Sequence, residues 1–529
     1  MRQKYEGTLF CCRFYGIVGE FVGKRLILLL VTVIIGTLPL FGCNAELSDL
    51  SDNLSSAISD VASADAETEP HTIVLPYDGN DSLNPFTVKT VANSALMQVL
   101  YDGLIRLNEK YEPEPVAAQE VKLNGLQCTV VLRNNLQFAN GNAVTAEDVV
   151  YSCNKARSTS RFSAGLANIA SVSGDKNTVV FQLKTADPLF VNLLDFPIVK
   201  KDTGDQDLPI GSGRYVAQMT ETTAKLVYNT KHFRGNTPKQ TEISLISMPD
   251  NEAMLSGIKT GTLSATFSDL SKGELSSAGA LSTSVTLNNM VYLGFNATRN
   301  IVNTAEIRQA IVCAVDRGTV FYKGFSGRGS QANMPVHPLI GGQLNVTAEQ
   351  LMQYDTAKAN QLLDAAGYQE KDASGYRLAD GKPIELTLLV NGDNNYKKLA
   401  GGLIREMLAA VGLKVTVSEE SFSAYTASVK SGKYDLYIGE MKLLNNMDLR
   451  PILENSDILK GTRSDALLAA YRSYLDATGT YADFLTAFQQ EVPFMPLLFR
   501  SGILVYNRNS SADIKTSVSD IYYNLETWG

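Results

Sequence analysis

The chain has 529 residues, 44 % of them hydrophobic, with 47 Lys and Arg against 55 Asp and Glu. Beyond residue 43 the balance is 42 cations to 53 acids, a net charge of −11. That excess of acid excludes a basic nucleic-acid interface and a protein surface that grips anionic membranes, both of which need cationic patches.

Arg2, Lys4, Arg13, Lys24 and Arg25 precede an uncharged apolar run from Leu26 to Cys43. Cations followed by an apolar core are the build of a secretory signal. The run also has the length of a membrane span, but Gly36 and Pro39 weaken a helix just before the small residue Gly42. Leu40-Phe41-Gly42-Cys43 resembles the lipobox of bacterial lipoproteins, with Phe41 bulkier than that pattern usually allows. Residues 1–43 are therefore read as a lipoprotein signal and Cys43 as the lipid attachment site. An uncleaved anchor and plain secretion are the alternatives, and all three place the rest outside the cytoplasm. Residues 44–70 hold seven acids, six serines and no Lys or Arg, the composition of a solvated tether spanning roughly 30 Å. Leu47, Leu50, Leu54, Ile58 and Val61 recur at helical spacing, so a short amphipathic helix inside the tether is the alternative to disorder throughout.

Residues 71–529 exceed what one core holds, so at least two domains are expected. LRNNLQFANGNAVTAEDVVYSCNKA reads as strand, turn and helix, with Thr145 as N-cap and Asp148 closing a capping box. Glu147 and Asp148 also suit the positive end of the helix dipole, which accounts for them better than catalysis does. In MVYLGFNATRNIVNTAEIRQAIVCAVDR an extended run to Asn296 leads into a helix. Ile307, Ala310, Ile311, Ala314 and Val315 share one face of it, and Arg308 and Asp316 are expected at the surface or as caps. YDTAKANQLLDAAGY is a helix closed by Gly367, followed by the strand IELTLLV. LAGGLIREMLAAVGLKVTV gives helix, a stop at Gly412 and another strand. This alternation predicts α/β layers with mainly parallel pairing.

Cys128, Cys153 and Cys313 form no CxxC pair, leaving buried thiols or a Cys128–Cys153 bridge as the readings. The three histidines, His71, His232 and His337, have no paired spacing, so no metal site or cofactor is expected. HExxH, GxSxG, GxGxxG and GxxxxGK[ST] are all missing. The chain reads as a non-enzyme.

Taken in order, LNPFTVKTVANSALMQVLYDGLIRLNEKYEPEPVAAQE, LRNNLQFANGNAVTAEDVVYS, PIGSGRYVAQ, MVYLGFNATRN with EIRQAIVCAVDR, YDTAKANQLLDAAGY and EVPFMPLLFRSG resemble the bacterial extracellular solute-binding proteins of family 5. These are the oligopeptide, dipeptide and nickel-type receptors of ABC importers. The resemblance implies an α/β, periplasmic-binding-protein-like (type II) fold with two lobes, a hinge and an added subdomain on the first lobe. Lobe one is expected at 71–107, 209–288 and 492–529, the subdomain at 108–208 and lobe two at 289–491. The implied function is capture of a small ligand, a peptide above all, and delivery to ABC permease and ATPase subunits by a monomer. The protein would sit lipid-anchored on the extracellular face, or in the periplasm if an outer membrane is present. A sensory or adhesion lipoprotein, a receptor for a metal chelate or sugar, and a secreted hydrolase are the alternatives. Neighbouring genes for two permeases and two ATPases would favour transport over sensing.

The resemblance also implies an acid that holds a peptide's amino group near KYDLYIGEMKLLNNMDLRPIL, where Glu440 replaces a common Trp. Asp448 and Glu440 are the candidates, with Asn446 beside them. Asn296, at a strand end near the expected cleft, either touches ligand or fixes a turn.

Overall fold

Alternation of apolar and polar residues sets the first sheet. In Gln127–Leu132, Cys128, Val130 and Leu132 are buried while their neighbours are not. Ala118–Asn124, Gln127–Leu132, Thr178–Leu183 and Ile169–Asp175 pair antiparallel in that spatial order. Helix Ala146–Arg157 packs on this sheet, its start fixed by the Thr145–Asp148 capping box. Cys128 and Cys153 are both buried and free, so the bridge reading is set aside. The computed structural model describes residues 72–529 except 236, 272–280, 347–350, 352, 509 and 511–512. The leader, Cys43, the tether and His71 lie outside the described residues.

A second sheet runs in the order Val74–Tyr77, Glu242–Ser247, Ala224–Tyr228, Tyr215–Met219. The third has seven strands. Ala265–Ser268, Phe494–Tyr506, Leu281–Phe295, Leu436–Lys442, Glu385–Asn391 and Lys414–Glu420 lie side by side, and Gly329–Gln331 pairs with Phe494–Tyr506.

The expectation of mainly parallel pairing is corrected here. Among the described strands, parallel pairing joins Val74–Tyr77 to Glu242–Ser247 and Glu385–Asn391 to each of Lys414–Glu420 and Leu436–Lys442. The other pairings are antiparallel. Parallel neighbours need a long crossover, which helices Asn395–Ala410 and Phe422–Ser431 supply within the third sheet. Short turns join many of the remaining strands, and short turns enforce reversal.

Two long strands tie the third sheet together. Leu281–Thr286 pairs with Ser501–Tyr506, and Met290–Gly294 pairs with Phe494–Phe499, with a register shift between Thr286 and Met290. A shift of this kind bends and twists a ribbon without breaking it. Beyond it, glycine and tyrosine face each other twice, Tyr292 opposite Gly439 and Gly294 opposite Tyr437. Each ring covers the glycine across the strand, and the two hydroxyls meet at 3.1 Å. Tyr292, Phe494, Phe488, Phe484, Tyr481 and Tyr471 continue as a chain of ring contacts onto helices Asp465–Leu475 and Tyr481–Glu491. Each such pair contributes about 0.5–1.5 kcal/mol beyond its buried area.

Arg308 departs from the expected surface position. It is buried on helix Ala305–Ala314 and donates to the carbonyls of Glu491 and Val492, closing the C-terminus of helix Tyr481–Glu491. A cation there satisfies otherwise orphaned carbonyls and opposes the helix dipole. Asp316 is a cap, accepting from the Gly318 N–H and the Thr319 hydroxyl.

Candidate functional site

Strand Leu436–Lys442 ends in a loop that returns through helix Arg450–Leu453. Between them the chain lies against residues 185–195, and polar side chains make most of the contact. Asn445 Nδ2 donates to Asp195 Oδ2 at 2.8 Å, and its Oδ1 accepts from Asn288 Nδ2 at 2.8 Å. The Tyr111 hydroxyl donates to Asn288 Oδ1 at 2.8 Å. Asn446 Nδ2 donates to Asp187 Oδ2 at 2.6 Å, and Arg450 Nη1 donates to the Thr185 hydroxyl at 3.0 Å. Burial raises the Asp195 carboxyl to about 7, with Arg161 and Asn445 pulling the other way. Burial also raises Asp187 to about 6, and the charge of Asp448 adds to the rise.

A groove of about 710 Å³ runs along this seam. Gly165, Asn168, Lys184 and Thr185 line one wall; Asn446, Asp448 and Arg450 are on the other. Volumes of this order hold small ligands. Asp448 does not meet the groove as a bare charge. Arg450 Nε reaches both of its oxygens at 2.9 Å, Arg450 Nη2 lies 2.7 Å from Oδ2, and the Tyr471 hydroxyl donates at 3.4 Å.

Glu440 sits apart, on the strand itself. It accepts from Asn289 Nδ2 at 2.9 Å and Arg500 Nε at 2.7 Å, and Lys397 Nζ lies 2.9 Å away. Burial alone would raise its carboxyl, but Lys397 and Arg500 outweigh that and hold it near 2. The residue is the hub of a buried ion cluster. Asn296 is also buried. Its Nδ2 donates to the carbonyls of Gly432 and Tyr434, and its Oδ1 accepts from the N–H and hydroxyl of Thr298. Both ends of the amide are spent on the turn.

The structure thus brings Asn446 and Asp448 to the groove and leaves Glu440 and Asn296 in supporting positions. Sequence reasoning missed Asp187, Asn192, Asp195 and Asn445, whose partners lie some 250 residues away in the chain. No local spacing signals such a contact. Among the described residues no cluster of His, Cys, Asp and Glu is arranged to hold a metal ion. His337 is stacked near Tyr111 and Phe499, and burial lowers it to about 4. His232 Nε2 is 3.5 Å from Asp102.

Residues 110–446 match the middle region of the bacterial extracellular solute-binding proteins, family 5. The chain belongs to that family. Its members are substrate-binding receptors of ABC transporters, not enzymes, and act in extracellular or periplasmic space. The receptor is 24 % identical to the oligopeptide-binding protein AppA of Bacillus subtilis strain 168, over 91 % of this chain and 96 % of that one. It is 26 % identical to the periplasmic murein peptide-binding protein MppA of Escherichia coli K12, over 67 % and 72 % of the two chains. A solved structure of a nickel ABC transporter protein from Bacillus halodurans superposes with a TM-score of 0.70 at 17 % identity, covering 86 % of this chain and 98 % of that one. The receptor has the type II periplasmic-binding-protein fold, two α/β lobes joined by a hinge. No helix among its described residues is long and apolar enough to cross a membrane.

Proposed function

We propose that this receptor captures a peptide in the seam lined by Asn446 and Asp448 and delivers it, as a monomer, to the permease and ATPase subunits of an importer. The observation that carries the reading is the groove of about 710 Å³ between two chain segments joined only by side-chain hydrogen bonds at their polar ends. Such contacts part and re-form as lobes open and close. Likeness to AppA and MppA, named for oligopeptides and murein peptides, favours peptide over chelate or sugar. In this reading Asp448 exchanges part of its pairing with Arg450 for the ligand's ammonium group, and Glu440 keeps its structural role.

The lobe division follows the same reading: 71–107, 209–288 and 492–529 in lobe one, 108–208 as its subdomain, 289–491 in lobe two. It is supported by Arg214, whose ion pairs to Asp520 and Glu526 fasten the last segment to the first. Cys43 carries the lipid that keeps the receptor beside its permease.

Mass spectrometry of material co-purified with the receptor tests the ligand class, and recovery of a sugar or metal chelate in place of peptides would end the peptide reading. Cys43→Ala is expected to release the protein from washed membranes; equal retention of variant and wild type would remove the lipid anchor.

A further inference from the structure

Arg161 and Lys442 reach the same seam from opposite sides. Arg161 lies in the turns after helix Ala146–Arg157 and donates Nη1 to the Ser94 hydroxyl at 2.9 Å. Lys442 ends strand Leu436–Lys442. Both side chains are exposed to solvent, and among the described residues neither forms an ion pair. Protein nevertheless crowds around them. Desolvation lowers both, and the charge of Arg161 lowers Lys442 further.

The carboxylates within reach are committed elsewhere. Asp195 takes the Asn445 amide and is raised by burial to about 7, so at neutral pH it is only partly charged. Asp81 is spent on the N–H groups of Ser82, Lys89 and Thr90 and on the Thr90 hydroxyl. Asp269 accepts from the Ser271 N–H.

We propose that Arg161 and Lys442 form an anion subsite that reads a carboxylate of the ligand. The inference rests on the receptor reading and names the chemistry at one end of its site. Two like charges brought together from opposite walls oppose closure when the seam is empty. A carboxylate between them turns that repulsion into two charge-assisted contacts, with the planar Arg fork for bidentate geometry and Lys as a point charge. The ligand then binds the closed state better than the open one, which is what couples capture to closure. The carboxylate comes either from a peptide C-terminus or from an acidic side chain or chelator.

Titration calorimetry on the full chain separates these sources with three probes: a random pentapeptide pool with free C-termini, the same pool amidated, and citrate. The free-acid pool is expected to bind. Amidation, Arg161→Met or Lys442→Met each weakens binding at least 10-fold, while Lys442→Arg keeps it. Small-angle scattering of the unliganded protein is expected to find Lys442→Met more closed than wild type. If both pools bind wild type and variants alike, the subsite is overturned and the peptide reading stands. If neither pool binds but citrate does, and both Met variants lose it, the subsite stands and the peptide reading falls. Failure of all three probes to bind overturns the subsite.

Discussion

Asn445 and Asp195, 250 residues apart in sequence, meet at 2.8 Å across the seam, with the amide donating to the carboxylate. The acid gives this contact a pH dependence. Asp195 and Asp187 are raised to about 7 and about 6, above the ordinary 3.8, because burial penalises the charge. The folded chain therefore binds protons that the unfolded chain releases between about pH 4 and 7. Stability from these two acids is fully present near pH 4 and is lost as pH rises through 6 and 7. Urea unfolding is expected to find the protein more stable at pH 5 than at pH 8, with these acids contributing on the order of 2 kcal/mol or more. Asp195→Asn should flatten the slope. An unchanged slope in that variant would count against the assignment.

Glu440 behaves in the opposite sense. Lys397 and Arg500 lower its carboxyl to about 2, so its contribution persists above the ordinary Glu range and is lost only as pH falls toward 2. Glu440→Ala leaves two mostly buried cations facing each other. The expected loss is about 3–5 kcal/mol, read as a shifted denaturant midpoint, with a smaller loss for Glu440→Gln. Wild-type stability with weakened ligand binding would instead return Glu440 to the ligand site.

Gly213 admits no side chain. A Cβ there would lie 2.3 Å from the Leu100 carbonyl carbon and 2.4 Å from the Val99 oxygen, both backbone atoms. Gly213→Ala is expected to cost more than about 3 kcal/mol or to abolish folding. Gly402, inside helix Asn395–Ala410 with open space around its Cβ position, is the control. Gly402→Ala should raise stability by about 0.5–1 kcal/mol in calorimetry.

Arg214 donates to the Asp520 and Glu526 carboxylates at 2.7 Å each and to the carbonyls of Tyr522 and Tyr523. Arg214→Met strands a buried acid, Asp520, at a cost of about 3–5 kcal/mol. Limited proteolysis is expected to cut residues 507–529 first in that variant. Protection equal to wild type would place the fastening elsewhere.

What the sequence disclosed was local. The Thr145 capping box, the stop at Gly412 and the strand–helix order within residues 385–442 rest on residues within a few positions of each other, so pattern and physics coincide. The site was half legible. Asn446 and Asp448 were placed near ligand by resemblance and do line the groove, but their partners Asp187, Thr185 and Arg450 had no readable signal as a group. Glu440 was misread as a free acid because Arg500 is 60 residues away and Lys397 sits on a separate helix. Strand direction failed for a related reason. Alternating strands and helices suggest parallel order, but the long strands Leu281–Phe295 and Phe494–Tyr506 cross the sheet antiparallel to each other.

Those two strands carry a consequence for biogenesis. Phe494–Tyr506 lies between Leu281–Phe295 and Ala265–Ser268, and synthesis reaches it about 200 residues after its main partner. Until it emerges, the sheet has a gap near its middle and Leu281–Phe295 waits with an open edge. Contacts this distant in sequence form slowly, because loop closure precedes any gain. A nascent chain held incomplete in this way stays unstructured enough to be threaded through a translocation channel, then closes its sheet once both strands have arrived on the far side. The arrangement also leaves that open edge exposed to other chains for the whole interval, so escort by a chaperone during transit follows from the topology.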